Sequence, residues 1–181
     1  MNNISPKYPR ILAITPSSRG FGYAVLEGHK VLVDWGVKSV EGDKNAGSIK
    51  KVEEMIAHYN PQVMVFEDTA TKESRRCPRI QALTKRLVAV AESRTIKVKL
   101  FSQTQVRRVF LGDDRGTKHA LAKIIVQRFP EELGFRLPPK RRAWMSEDSR
   151  MDIFDAVALT LAYFYSCRTP EPFAGFKKVA F

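Results

Sequence analysis

Apolar and polar positions change period several times along the chain, and each change predicts an element. Arg10 to Thr15 (RILAIT) and Phe21 to Leu26 (FGYAVL) are short apolar runs on either side of the turn-forming PSSRG, which predicts a hairpin. Glu27, Gly28 and His29 make the next turn, and Lys30 to Val37 alternates as a third antiparallel strand. From Ser48 the positions Ile49, Val52, Ile56 and Tyr59 recur at helical spacing, with Ser48 placed to cap the helix and Asn60-Pro61 to stop it. Val63 to Phe66 is then an unbroken apolar run, as in a strand covered on both faces, and it delivers Glu67 at its exit.

The second half of the chain predicts mostly helices. From Ile80 to Ser93, Leu83, Leu87, Val90 and Ala91 share one side while Lys85, Arg86 and Arg94 point elsewhere. Val98 to Phe101 is a fifth strand, and Ser102 with Gln105 forms a capping-box pattern that opens a short helix through Phe110. Thr117 caps KHALAKIIVQRF, whose Leu121, Ile124, Ile125 and Phe129 are core-like, and Pro130 closes it. The basic stretch from Pro130 to Ser146 reads as an irregular surface loop, and a last helix runs from near Ser149 to Tyr165. The expected organisation is one domain over 1–168 and an extended tail over 169–181, with no internal repeat.

Composition narrows the partner. A hydrophobic content of 44% in 181 residues supplies a real core, and no apolar run is long enough to cross a bilayer. MNNISPKYPR lacks a signal peptide's apolar stretch, so a cytoplasmic, nucleoid-associated protein is expected. Cys77 and Cys167 have neither zinc-ligand spacing nor a disulfide framework and receive no role. The net charge of +12 points to a polyanion, and it is concentrated: Asp68 to Lys118 holds thirteen Lys or Arg against five Asp or Glu, a local net of +8. Candidate nucleic-acid contacts are Lys72, Arg75, Arg76, Arg79 and Lys85 beside Glu67, then Arg107, Arg108, Lys118, Arg141 and Arg142. Trp144, next to Arg141 and Arg142, either stacks on an unpaired base or pins its loop to the core, the commoner role of a loop tryptophan.

The candidate chemistry rests on acids. Hydrolysing a phosphodiester in line requires stabilising the attacking and the leaving oxygen, which two Mg²⁺ (or Mn²⁺) ions about 4 Å apart accomplish. Such hard cations take carboxylate oxygens. Asp152 and Asp155, three apart on the last helix, lie side by side, and Glu67 leaves a central strand toward them. Plainer readings stand beside this one. Ser149-x-x-Asp152 is a helix-start signature, a Glu at a strand exit is usually at the surface, and Lys118 alone is a solvated lysine.

The element order, three antiparallel strands, helix, strand, helix, strand and then helices, is that of the ribonuclease H-like α/β fold. Within it the chain resembles the RuvC family of Holliday-junction resolvases over roughly residues 10–165. ILAITPSSRGFGYAVLE is similar to that family's first hairpin with its Gly22-Tyr23 pair, VMVFED to the strand ending in the second catalytic acid, and QALTKRLVAVAES to the central helix. VKLFSQTQVRRVFLG, GTKHALAKIIV and MDIFDAVALTLAYF resemble the later strand and helices, in the right order. The resemblance implies a five-stranded mixed sheet, three antiparallel strands followed by parallel additions, flanked by helices. It also implies a metal-dependent, structure-selective DNA endonuclease acting on branched DNA such as four-way junctions, with catalytic residues Glu67, Asp152, Asp155 and Lys118, the three acids binding metal. A homodimer is expected, since a four-way junction is cut symmetrically.

Two positions depart from the family. Thr15 stands where the first catalytic Asp belongs, so the site is degenerate there, and Ser17 stands where a Gly would tighten the turn. Losing one carboxylate removes a negative charge from a site that must offset two divalent cations. A replacement carboxylate is available from Asp148 or Glu147, or from Asp34 or Asp68, and the sequence does not rank them. The alternative is a catalytically impaired member of the fold that binds branched DNA or RNA without efficient cleavage. An actin-like or sugar-kinase ATPase is disfavoured, because TPSSRGFG has too few glycines and the chain is too short for two lobes.

Overall fold

The computed structural model describes residues 8–112 and 115–167, so the predicted tail over 169–181 lies outside the described residues. The elements are β1 Arg10–Pro16, β2 Gly20–Glu27, β3 Val31–Ser39, α1 Lys44–Tyr59, β4 Val63–Glu67, α2 Pro78–Ser93, β5 Lys97–Phe101, α3 Gln103–Leu111, α4 Lys118–Arg128, α5 Pro130–Leu133 and α6 Met151–Ser166. The strands form one sheet in the order β3-β2-β1-β4-β5. The first three are antiparallel, and β4 and β5 join in parallel, which is the expected mixed sheet.

Side chains alternate across a strand, so the central strands are apolar on both faces. Ile11, Ala13, Val63 and Val65 face α6, while Leu12, Ile14, Met64 and Phe66 face Val52, Met55 and Ile56 of α1 and Leu83 and Leu87 of α2. α6 is apolar nearly all round, and from Met151 to Tyr163 every residue but Asp155 is buried. A helix of that kind belongs in a protein interior, and α6 lies between the sheet and helices α3 and α4. Phe154 is among its fully buried side chains, and removing such a ring costs about 3–5 kcal/mol.

Three boundaries depart from the sequence reading. α1 begins at Lys44, capped by Asp43, whose Oδ1 accepts the N–H groups of Asn45 and Ala46 at 2.9 and 3.0 Å. Ser48 is buried inside the helix; the first turn, KNAG, buries no apolar side chain, so hydrophobic periodicity starts late. Pro130 opens a helix as well as closing one, giving α5 and a 3-10 turn at Gly134–Arg136 where an irregular loop was expected. α6 begins at Met151 without a side-chain cap, so Ser149 does not cap it and Asp152 is not half of a capping box. The capping box of Ser102 and Gln105 and the Thr117 cap are formed as read.

Candidate acidic centre and basic face

Parity carries Thr15 and Glu67 to the same face. Each follows the series that faces α6, Ile11-Ala13 in β1 and Val63-Val65 in β4, and their predecessors Ile14 and Phe66 are register partners. Both therefore leave the sheet at the C-terminal ends of adjacent parallel strands, where α/β sheets place their sites. The first turn of α6 meets them there because residue 22 is glycine. A Cβ at Gly22 would sit 2.5 Å from the Asp152 carbonyl oxygen, so only a bare backbone lets α6 lie this close to β2. Lys118 arrives as the first residue of α4, and Thr15, Glu67, Gln103, Arg107, Lys118 and Asp155 line one pocket.

Thr15 is 2% exposed, and its hydroxyl faces two main-chain carbonyls, that of Asp152 at 2.9 Å and that of Gly22 at 3.2 Å. A hydroxyl has one hydrogen, which the nearer carbonyl accepts. The side chain thus ties β1 to the backbone of α6.

Glu67, 7% exposed, is engaged on both oxygens. Arg76 donates to Oε2 from Nε at 2.9 Å and from a terminal nitrogen at 2.6 Å, and Gln103 donates to Oε1 at 3.1 Å. The loop from Asp68 to Cys77 presents the arginine: Asp68 N–H bonds to the Phe101 carbonyl at 2.9 Å, and Gln81 holds the Arg76 carbonyl at 2.8 Å. Burial works against the Arg76 charge, but the Glu67 hydrogen bonds and the charges of Glu67, Asp155 and Asp152 hold its pKa above the ordinary value.

Lys118 mirrors this arrangement. Its Nζ donates to Asp155 at 2.8 Å and pairs with Glu147 at 2.9 Å. Burial again opposes the charge, and Asp155 and Glu147 more than offset it, so the ammonium stays protonated well into alkali. Asp152 has the weakest support. Burial, then the charge of Asp155, pushes its pKa up to about 6, while a Ser17 hydrogen bond and the charges of Lys118 and Arg76 act in the opposite direction.

The donor set does not fit a pair of divalent cations as it stands. Glu67 and Asp155 are already bound by internal cations, and Thr15 offers a neutral oxygen committed to the backbone. Among the described residues, no three Asp, Glu, His or Cys side chains converge on a point that could hold a metal ion. Of the acids named as rescues, Glu147 reaches the centre but is paired with Lys118 at 2.9 Å, and the other three are engaged elsewhere: Asp148 pairs with Arg150 at 2.6 Å, Asp34 accepts the hydroxyls of Tyr23 and Tyr59, and Asp68 accepts the Ala70 N–H.

The basic residues divide into two groups. Lys72, Arg75, Lys85, Arg108, Arg141 and Arg142 are exposed. Arg76 and Lys118 turn inward to the acids, Arg79 donates to Asn45 and the Ser17 carbonyl, and Arg107 leans on Gln103. Trp144 is 78% exposed, which corrects the expectation that it pins its loop to the core. Sequence reasoning missed the role of Gln103, because SQTQ shows only a helix cap and its contact with Glu67 depends on β5 lying beside β4.

No protein-family model matches the sequence, and no curated protein does. Solved structures do match in shape. Thermus thermophilus RuvC superposes with a TM-score of 0.62 at 14% identity, over 87% of this chain and 95% of that one. T. thermophilus RuvC in complex with a Holliday junction substrate gives 0.64 at 16%, over 88% and 95%. The yeast mitochondrial Holliday junction resolvase Ydc2 gives 0.58 at 13%, over 88% and 82%. With the strand order, the alternation and the position of α6 all in agreement, the chain has the ribonuclease H-like fold in its RuvC-like form.

Proposed function

We propose that the chain binds branched DNA, four-way junctions foremost, through the cations around the acidic centre, and that it does so without needing a divalent metal and without efficient cleavage. The observation that carries this reading is the Arg76–Glu67 pair at 2.6 Å, which engages a buried carboxylate that metal chemistry would need free. Lys118 engages Asp155 in the same way, and the Thr15 hydroxyl is held by backbone. Phosphate binding requires none of these acids. The exposed Lys72, Arg75, Lys85, Arg108, Arg141 and Arg142 are suited to neutralising phosphates, each contact lowering the logarithm of affinity by about 0.9 per decade of salt. The likeness to a RuvC solved on a Holliday junction substrate supports a branched partner. Two protomers related by a twofold axis would match the symmetry of a four-way junction.

A second reading, a slow metal-dependent endonuclease, draws on one observation: Glu67 and Asp155 line one pocket, and Asp152, its pKa raised by burial and then by the Asp155 charge, is close to Asp155. In this reading Arg76 must first leave Glu67.

Labelled four-way junction and linear duplex, titrated in EDTA and in Mg²⁺ or Mn²⁺, separate the two. Tighter binding of the junction in EDTA, unchanged by metal, with no strand scission on a denaturing gel, is the expected result, and light scattering should give two protomers per junction. Scission in Mn²⁺ that disappears in Glu67→Gln would establish the endonuclease instead, and equal affinity for junction and duplex would remove the branched partner.

A further inference from the structure

We propose that Trp144 is a stacking platform for an unpaired nucleobase, held in place by the loop of residues 138–150; this rests on the nucleic-acid reading above and names which part of the DNA the loop takes. An indole is the largest apolar surface a side chain offers, and a protein normally buries it. Here it is 78% exposed, with Met145 beside it 44% exposed. The other tryptophan, Trp35, is partly buried and packed on the core, with Phe135 at 6.1 Å.

Its surroundings suit a nucleotide. The Arg142 guanidinium lies 5.6 Å from the centre of the Trp144 ring, and Lys140 and Arg141 are exposed just before it. A π-face gives sequence-tolerant stacking to any base that is not already stacked, and the cations take the adjoining phosphates. A protein partner of acidic character would be met by the cations alone and would leave the indole without a role.

The loop is also built to hold the ring. Met145 N–H bonds to the Arg142 carbonyl at 3.0 Å, and Arg141 Nε donates to the Met145 carbonyl, closing a turn around Trp144. One end of the loop is fixed where the Pro138 carbonyl meets His119 Nε2 at 3.1 Å. The other is fixed where Glu147 pairs with Lys118, itself bonded to Asp155. Trp144 is therefore three residues, at most about 10 Å of chain, from a side chain bound to the acidic centre. A preorganised aromatic loses little freedom on stacking.

The test uses the full chain with two DNAs of equal length, a blunt duplex and a fork with unpaired thymine arms. Anisotropy of a label on the DNA reports binding and tryptophan emission reports stacking. The fork should quench emission while the bound duplex does not. Trp144→Ala should abolish that quenching and weaken fork binding on the order of tenfold with duplex affinity unchanged, and Trp144→Phe should recover most of the affinity. Fork binding without quenching, or an equal loss for fork and duplex in Trp144→Ala, overturns the stacking proposal alone. Failure of the wild-type chain to bind either DNA overturns it together with the reading it rests on.

Discussion

The Thr15 hydroxyl lies 2.9 Å from the main-chain carbonyl of Asp152, so the first strand is fastened to the last helix beside the acidic centre. A side chain with a proton to give suits that position better than a carboxylate, which would turn lone pairs toward the carbonyls of Asp152 and Gly22.

Thr15→Asp should therefore lower the stability of the metal-free protein by about 2–4 kcal/mol, through the lost hydrogen bond and the added charge near Asp152 and Asp155. Thr15→Val, which loses only the hydrogen bond, should cost about 1–2 kcal/mol. Chemical denaturation in EDTA checks both, and repetition in Mn²⁺ shows whether the new carboxylate creates a cation site. A Thr15→Asp protein as stable in EDTA as the wild type would contradict the tie.

Arg75 and Arg76 are adjacent in sequence and should respond oppositely. Arg75 is exposed, so Arg75→Glu should weaken junction binding and flatten its salt dependence while leaving the unfolding midpoint unchanged. Arg76→Ala leaves Glu67 buried with Gln103 as its remaining side-chain partner and should destabilise by about 3–5 kcal/mol. Parallel denaturation and salt titrations of the two variants distinguish a surface contact from an internal counter-ion.

Asp152 predicts an unusual pH dependence for the metal-free protein. In the folded chain it keeps its proton up to about pH 6, whereas an unfolded aspartate releases it near 3.8. Between those values the native state binds more protons than the unfolded state, so this group's contribution falls as pH rises from about 4 to about 6 and is flat above. Its size is on the order of 2–3 kcal/mol, from about 1.4 kcal/mol per pKa unit. Asp43 and Asp148, with lowered values, act in the opposite sense, so the measurement is the difference between wild type and Asp152→Asn at pH 4, 5, 6 and 7.5. A difference that does not change with pH would show that Asp152 ionises normally.

The strands and most helices were legible because each follows from a local period: two in β3, unbroken apolar in β1 and β4, about 3.6 in α2. The caps at Ser102 and Thr117 were legible because a capping side chain and its backbone partner are three residues apart. The start of α1 at Lys44 was not, since its first turn buries no apolar side chain and shows no period. Trp144 was assigned to the core on chemistry that holds for an average tryptophan, and the three cations before it were the available signal against that.

By itself the sequence determined the fold class, the clustering of positive charge after Glu67, and the set of residues, Thr15, Glu67, Lys118, Asp152 and Asp155, that the fold would bring near one another. The fold class follows from strand parity and helical period, which are properties of neighbouring residues, whereas the grouping of those five residues was implied by the resemblance to the RuvC family. Only the tertiary structure decided how those groups are used: that Arg76 and Lys118 neutralise Glu67 and Asp155, that Thr15 binds backbone, and that Asp152 is left with a raised pKa. These charge pairs and the Thr15 hydrogen bond depend on distances of a few ångströms between residues 9, 37 and 137 positions apart, and no local pattern encodes those.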